Sequence, residues 1–434
     1  MKMSLKWFLV PNLIIVITGI SCKEDPLQPK DKGTLAITLE DVSCTEAWII
    51  LTTTNLQLPS SLNLLKNDNL IKTINLETSD TLLYIDSLLP NQTYNFIISH
   101  SGLSGILSNE LYVTTMDTTS HNFSWQTFEF GGEAGSCTFY DVAILNENSI
   151  WVVGDIKLRD SISNESILYN AAHWDGNDCV LHRIMFYTIC GQQHQNAYPA
   201  SSIIGFSENE IWIAQKGDQI AKLENGVQTQ TLCMPWTFSI NKIWGSSSSD
   251  LYVIGNNGNI AQFNGRQWTK MESGTATNIN DVWGVVNPIT QEQIIYCAVS
   301  FVFQPGDQKI LTIKNNIVDS LSWNVGRRIH SVWSKNGLFV YTSGGGVHEN
   351  KRGYWNELTQ VPLYYSRNIR GTDYNNIFVC GDYGLFSHFN GIEWKTFDEL
   401  SMQGIYLSVA AKNNIVVAVG FEGSKAIIVK GIRN

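Results

Sequence analysis

A four-part pattern that recurs through residues 122–434 constrains the fold of this chain more than any other feature. Its clearest copy spans residues 240–270, where four short runs of β-branched and aromatic residues are separated by turn residues. The third and fourth runs flank Asn264-Gly265, and both residue types tolerate the positive φ angles of a two-residue hairpin turn. The pattern therefore predicts a small antiparallel sheet of four strands.

Further copies align with this segment through the position of Trp244 in its first strand. The equivalent positions are Val142, Ile204, Trp283, Trp333, Arg370 and Val409. Several neighbouring copies lie about 40 residues apart, and a four-stranded unit with this period predicts a β-propeller. With one inner strand per copy, we expect seven blades over residues 122–434.

The last copy, residues 406–432, contains only three strands before the sequence ends. A missing outer strand is available upstream in residues 122–128, which include Trp125. Because an open ring would leave sheet edges unpaired, we expect this upstream strand to complete the last blade. Most of the 14 tryptophans occupy repeat positions, so we interpret them as packing residues between blades.

Residues 33–120 form a separate module with seven short alternating runs, which is typical of a β-sandwich. The stretch Leu89-Pro90-Asn91-Gln92-Thr93-Tyr94 resembles the fibronectin type III signature before the sixth strand. The resemblance implies a structural role for Tyr94, and Trp48 stands in for the usual core tryptophan. The expected fold class is therefore all-β, with a fibronectin type III-like sandwich followed by a seven-bladed β-propeller.

The N-terminus has the features of an export signal. Lys2 and Lys6 precede an apolar stretch, and Cys22 follows small residues. This arrangement resembles a bacterial lipoprotein signal, although Gly19 replaces the usual leucine. The resemblance implies a signal peptide over residues 1–21, a lipidated Cys22 and a tether over residues 22–32. An ordinary signal peptide with an incidental cysteine is the alternative.

The three residues after Cys22, Lys23-Glu24-Asp25, resemble the acidic signal that sends lipoproteins of Bacteroidota-type bacteria to the cell surface. We therefore expect an outer-membrane lipoprotein that is exposed at the surface. The repeats also resemble the Gly/Trp-rich propellers of bacterial lipoproteins and, more distantly, photosystem II assembly factors. That resemblance implies a seven-bladed β-propeller. It does not decide whether the protein assists the assembly of other envelope proteins.

The composition excludes some partners. The 434 residues are 43% hydrophobic and 16% charged, with a net charge of −10. A sizeable core is therefore expected. The acidic balance argues against nucleic acid as a partner. We expect a monomer that meets the membrane through the lipid on Cys22.

Unusual insertions fall on loops that a propeller places on one face, between successive blades and between the second and third strands of a blade. They contain aromatic and arginine residues, which are enriched in recognition surfaces. The candidate ligand-binding residues are Tyr187, Tyr198, Trp236, Phe301, Arg327, Arg328, Tyr364, Tyr365 and Arg367. We expect this face to bind a protein or a glycan, and ordinary loop filling is the alternative.

No motif identifies a cofactor, a metal site or a catalytic residue. The sequence has no HExxH and no CxxC motif, and Asp281 and Asp373 have no recognisable acid–base partner. His330 is interpreted as a packing residue. The preferred function is a non-enzymatic binding or scaffolding module, and the alternative is a carbohydrate-active enzyme or an envelope assembly factor that uses the propeller funnel. One disulfide is expected among Cys179, Cys190 and Cys233, with its pairing open.

Overall fold

The computed structural model describes residues 33–236, 238–286, 292–301, 306–351 and 353–434. The expected signal peptide, Cys22 and the tether lie outside the described residues. Within these ranges the regular elements are β-strands and two short 3-10 turns, Asn256–Gly258 and Asp398–Leu400. No helix in the described ranges has the length and apolar composition needed to span a membrane. The prediction of an all-β chain is confirmed.

The described chain divides into two compact units, and the first contains residues up to Asp41 together with Trp48–Ile85 and Thr93–Val113. Its strands form two sheets, with the orders β1-β2-β5 and β4-β3-β6-β7. The strands are β1 (Thr34–Val42), β2 (Ala47–Thr54), β3 (Ser60–Lys66), β4 (Asn69–Leu76), β5 (Asp80–Ile85), β6 (Thr93–His100) and β7 (Leu111–Thr114). Alternate residues are buried along β3 and β6, as expected for strands with one face on a core. Trp48 is buried and lies 5.8 Å from the Tyr84 ring.

The second unit contains residues 42–47, 86–92 and 114–434. Its described residues form seven four-stranded antiparallel sheets and one short hairpin. Its first strands are β8 (Phe123–Phe130), β9 (Thr138–Asn146), β10 (Ser149–Arg159), β11 (Ser166–Trp174), β12 (Cys179–His182), the hairpin β13 (Met185–Tyr187) and β14 (Gln195–Ala197), β15 (Ala200–Ser207), β16 (Glu210–Gln215), β17 (Gln219–Glu224) and β18 (Val227–Cys233). The first sheet is β9–β12 and the second is β15–β18.

The third to sixth sheets repeat this order along the chain, and the seventh begins with β35, β36 and β37. Their strands are β19 (Ile240–Ser247), β20 (Asp250–Gly255), β21 (Ile260–Phe263), β22 (Trp268–Met271), β23 (Ile279–Val286), β24 (Gln293–Val299), β25 (Lys309–Lys314), β26 (Ile317–Leu321), β27 (Ile329–Trp333), β28 (Phe339–Gly344), β29 (Gly346–Lys351), β30 (Tyr354–Glu357), β31 (Ser366–Asp373), β32 (Asn376–Gly381), β33 (Phe386–Phe389), β34 (Trp394–Thr396), β35 (Ile405–Lys412), β36 (Ile415–Glu422) and β37 (Lys425–Arg433). Each first strand of a sheet neighbours the first strand of the next sheet, and β35 also neighbours β9.

The seventh sheet contains strands from both ends of the unit. Its strand order is β35-β36-β37-β8, and Gly431 of β37 lies opposite Trp125 of β8. A Cβ atom at Gly431 would meet the Trp125 ring at 2.3 Å, so the indole needs a glycine there. The same ring lies 5.0 Å from Phe397 and 5.5 Å from Phe386 of the sixth sheet. Trp125 therefore packs the seventh sheet against its neighbour.

The cores lie between successive sheets. Trp151 and Val153 of β10, for example, pack with Ile203 and Ile213 of the second sheet. Successive side chains of a strand point to opposite faces of its sheet, and both faces of the middle strands are covered by neighbouring sheets. The middle strands are therefore almost continuous runs of apolar β-branched and aromatic residues.

We expect Trp125→Ala to lower the free energy of unfolding by about 3 kcal/mol, because the substitution removes a large side chain packed between two sheets. Hydrogen exchange should also accelerate in β8 and β37. Trp268→Ala, which truncates a half-buried outer-strand tryptophan of the third sheet, is the matched control. It should leave exchange in β8 and β37 slow, and equal exchange in the two variants would contradict the role of Trp125.

Candidate functional site

A cavity of about 320 Å³ lies at the end of the second unit where the innermost strands begin. All seven of these strands contribute a lining residue: Tyr140, Ser201, Asn241, Asn280, His330, Arg367 and Leu407. Lys216 and Asn256, from loops between second and third strands, also line it, as does Asn278. The rest of the lining is Ile240, Lys242, Asp281, Asn368 and Ser408. The loops at this end are those on which the sequence predicts ligand binding. We call this space the asparagine-lined cavity.

Two ion pairs lie between the inner strands, and one member of each, Asp281 and Lys242, also lines the cavity. Arg370 donates through Nη2 to Asp281 Oδ1 at 2.6 Å and through Nη1 to Asp281 Oδ2 at 2.8 Å. Burial alone would raise the pKa of Asp281, but the Arg370 guanidinium outweighs it and holds that pKa below its usual value. Lys242 Nζ lies 2.6 Å from Asp141 Oδ1 and forms the second pair. Both carboxylates that face this space are therefore charge-compensated.

Hydrogen bonds connect these pairs to neighbouring sheets. Asp141 accepts from Ser202 Oγ at 2.6 Å and from Ser408 Oγ at 2.8 Å. Ser331 donates to Asp281, and its oxygen accepts the Ile369 amide at 3.2 Å. We call the set Asp141, Ser202, Lys242, Asp281, Ser331, Asn368, Arg370 and Ser408 the polar girdle. Most of its hydrogen bonds join one inner strand to the next, and the two ion pairs each span a non-adjacent pair of inner strands. The girdle therefore fastens several sheets to one another.

A second cavity, of about 250 Å³, is lined by residues at and beyond the girdle along the inner strands. Its wall includes Val142, Ile144, Ile204 and Val282, in contrast to the amide-rich first cavity. The two ends of the enclosed space therefore have different chemistry, one polar and one largely aliphatic.

Arg367, one of the sequence-predicted residues, lines the asparagine-lined cavity. Its Nε donates to Asp382 Oδ1 at 2.7 Å, and its guanidinium lies 4.7 Å from the centre of the Tyr365 ring. The Tyr365 hydroxyl lies 3.5 Å from His330 Nδ1. Burial, followed by the charge of Arg367, lowers the pKa of His330 to about 4, so this imidazole is neutral at pH 7.

Tyr364, Arg327 and Arg328 lie beside this group. The Tyr364 ring is 5.4 Å from the Tyr383 ring, and the two side chains are 48% and 61% exposed. Gly345 connects the segment that contains the two arginines with the segment that contains the tyrosines. It forms a β-bridge with Tyr365 and donates its amide to the Arg328 carbonyl at 2.9 Å. We call the set Arg327, Arg328, Leu363, Tyr364 and Tyr383 the tyrosine–arginine rim. It contains both exposed apolar surface and cationic groups.

The other four predicted residues are neither in the cavity lining nor part of the group around Tyr365 and Arg367. The main chain of Tyr187 exchanges hydrogen bonds with the Gln219 side chain at 2.8 and 2.7 Å. Tyr198 donates to Thr188 Oγ1 at 3.0 Å. Trp236 packs against the core between the second and third sheets, and Phe301 is half-buried. The structure thus brings together Arg327, Arg328, Tyr364, Tyr365 and Arg367 and leaves these four elsewhere.

Sequence reasoning missed the asparagines of the cavity and the ion pairs of the girdle. The sequence contained one signal of the buried ion pairs. Arg370 occupies an inner-strand position at which the other copies carry apolar residues. A charge facing an enclosed space requires a partner, and Asp141, Lys242 and Asp281 lie on inner strands as well. Asp373, the other unpartnered carboxylate of the sequence analysis, pairs with Lys335 at 2.9 Å.

The predicted disulfide joins Cys190 to Cys233, which ties the hairpin after the first sheet to the end of β18. Cys179, the third candidate, is a free thiol. Within the described residues, no group of three or more histidine, cysteine, aspartate or glutamate side chains could hold a metal ion.

No protein-family model matches this chain, and no curated protein matches it. Among solved structures, YCF48 bound to a D1 peptide is 13% identical, with a TM-score of 0.52 over 73% of this chain and 99% of that one. The WD40 β-propeller domain of Doa1 is also 13% identical, with a TM-score of 0.48 over 72% and 98%. At this identity the likeness establishes the fold alone. The prediction of a β-propeller is therefore confirmed.

We expect Arg370→Met to lower the free energy of unfolding by about 3–5 kcal/mol, because it leaves the Asp281 carboxylate buried without its cation. Adding Asp281→Asn should recover part of that loss, since the amide is neutral and still offers an oxygen to the Val332 amide. Urea unfolding of both variants measures the two effects. A double variant less stable than Arg370→Met would contradict this account of the girdle.

Proposed function

We propose that this protein is a lipid-anchored recognition module that holds a protein ligand on one face of a seven-bladed β-propeller. Seven four-stranded sheets whose inner strands neighbour one another in a closed series support the blade count. The sheet orders β1-β2-β5 and β4-β3-β6-β7 support a fibronectin type III-like sandwich. Anchoring through Cys22 at the outer surface of a Bacteroidota-type cell rests on the N-terminal sequence signals.

The tyrosine–arginine rim is the observation that carries the proposal of a protein ligand. Leu363, Tyr364 and Tyr383 are 66%, 48% and 61% exposed. Leu363 and Tyr364 directly precede Tyr365, whose bridge partner Gly345 donates its amide to the Arg328 carbonyl, so this surface lies beside Arg328. Tyrosine and arginine are the residue types that dominate binding energy at protein interfaces. YCF48, a propeller similar in fold, is described with a bound peptide, which is a precedent for this kind of ligand on the fold.

Catalysis by paired carboxylates finds less support at this face. Asp281 is bound by Arg370 and Asp141 by Lys242, so neither is a free acid or base. Asp382 is bound by Arg367. A binding role therefore accounts for the charged groups better than hydrolysis does.

The proposal predicts that a photo-crosslinking amino acid at position 364, introduced in living cells, forms an adduct with one defined protein. The same group at position 354 should not form that adduct, because Tyr354 is 76% exposed on the outer strand β30 and lies outside the rim. The purified triple variant Arg328→Ala/Tyr364→Ala/Tyr383→Ala should then bind the captured partner at least about tenfold more weakly. Tyr354→Ala should bind it normally. Equal adducts at both positions, or no adduct at 364, would refute the proposal.

A further inference from the structure

The asparagine-lined cavity contains hydrogen-bonding groups that the protein itself does not use. Asn241 Nδ2 donates to Asn256 Oδ1 at 3.0 Å and to the Ile279 carbonyl at 2.8 Å. Asn280 Nδ2 donates to the Ser300 carbonyl at 2.9 Å and to the Ile329 carbonyl at 3.3 Å. Both amide nitrogens are therefore occupied in linking strands, and no described residue donates to either Oδ1. Two amide oxygens remain as acceptors.

Unused donors lie on the same wall. Asn256 Oδ1 accepts from Asn241, and Asn278 Oδ1 accepts the Asn257 amide at 3.1 Å. The Nδ2 groups of Asn256 and Asn278 have no acceptor among the described residues. Lys216 Nζ lies 3.4 Å from the Tyr140 hydroxyl and has no carboxylate partner in the described chain. Donors and acceptors thus alternate between the second, third and fourth sheets.

The charge balance of the cavity indicates an uncharged ligand. Lys242 is neutralised by Asp141, Asp281 by Arg370, and Arg367 by Asp382. His330 is neutral at pH 7 because its pKa is lowered to about 4 by burial and then by Arg367. Lys216 is the one lining cation without a carboxylate partner in the described chain. A strongly anionic ligand would meet Lys216 but would leave the amide oxygens of Asn241 and Asn280 without a donor.

We propose that this cavity binds a single uncharged sugar residue, either free or at the end of a glycan. Hydroxyl groups both donate and accept, so they can donate to Asn241 and Asn280 Oδ1 and accept from Asn256, Asn278 and Lys216. A volume of about 320 Å³ lies at the lower end of the range for small-molecule sites, which suits one sugar ring. The site is separate from the tyrosine–arginine rim and does not depend on a protein ligand there.

Saturation-transfer NMR on the purified protein tests the proposal with the methyl glycosides of glucose, galactose, mannose and N-acetylglucosamine. At least one should show saturable binding. Lys216→Met/Asn278→Ala should weaken that binding at least about tenfold, since it removes two donors without touching the girdle. Lys222→Met/Asn177→Ala, which changes the same residue types outside the cavity lining, is the matched control and should bind normally. Thermal unfolding of each variant checks that the fold is intact.

Several results would overturn the proposal. These are the absence of saturable binding by all four glycosides, unchanged binding in the cavity variant, or stronger binding of glucuronate or inorganic phosphate than of the neutral glycosides. The rim triple variant separates the two proposals, because it should lose the captured protein and retain the glycoside. Loss of glycoside binding in the rim variant, with its fold intact, would also contradict a separate sugar site.

Discussion

Pairing of β8 with β37 is the interaction on which the rest of the second unit depends. It brings strands that are distant in sequence into one sheet and pairs β37 with β8 from Ala426 to Arg433. A sheet without that strand would expose an unpaired edge. With the strand in place, β35 can neighbour β9, so the inner strands enclose a common space. The cavity and the girdle exist only because that space is closed.

The girdle shows how an enclosed space can carry charge. Asp141 and Asp281 would each be costly to bury alone, and each is compensated by a cation from a non-adjacent inner strand. Serine hydroxyls and main-chain amides of neighbouring strands occupy further lone pairs of the carboxylates. The network therefore links neighbouring sheets around the ring. It also lies between the two ends of the enclosed space, one of which is lined by amides and the other by aliphatic side chains.

The proposed binding face combines two kinds of surface within a short distance. The rim is exposed, aromatic and cationic, as protein interfaces are. The neighbouring cavity is concave and amide-rich, with its charges paired. Arg367 and Tyr365 lie between them, because Arg367 lines the cavity while Tyr365 adjoins Tyr364 in the chain. A partner that carries both a protein surface and a sugar would meet complementary chemistry in both places.

The sequence by itself determined the strands, their grouping into four-stranded units and the supply of an outer strand from residues 122–128. Alternation, turn residues and repeat period are local signals, so a reader of the sequence can measure them directly. It also offered nine candidate binding residues, of which Arg327, Arg328, Tyr364, Tyr365 and Arg367 lie together and the other four do not. Only the tertiary structure decided that Trp236 packs in a core, that Arg370 meets Asp281 from 89 residues away, and that asparagines of neighbouring sheets face one cavity. Those relations depend on how the sheets are arranged around the ring, and no local pattern encodes the distance between two side chains on different sheets.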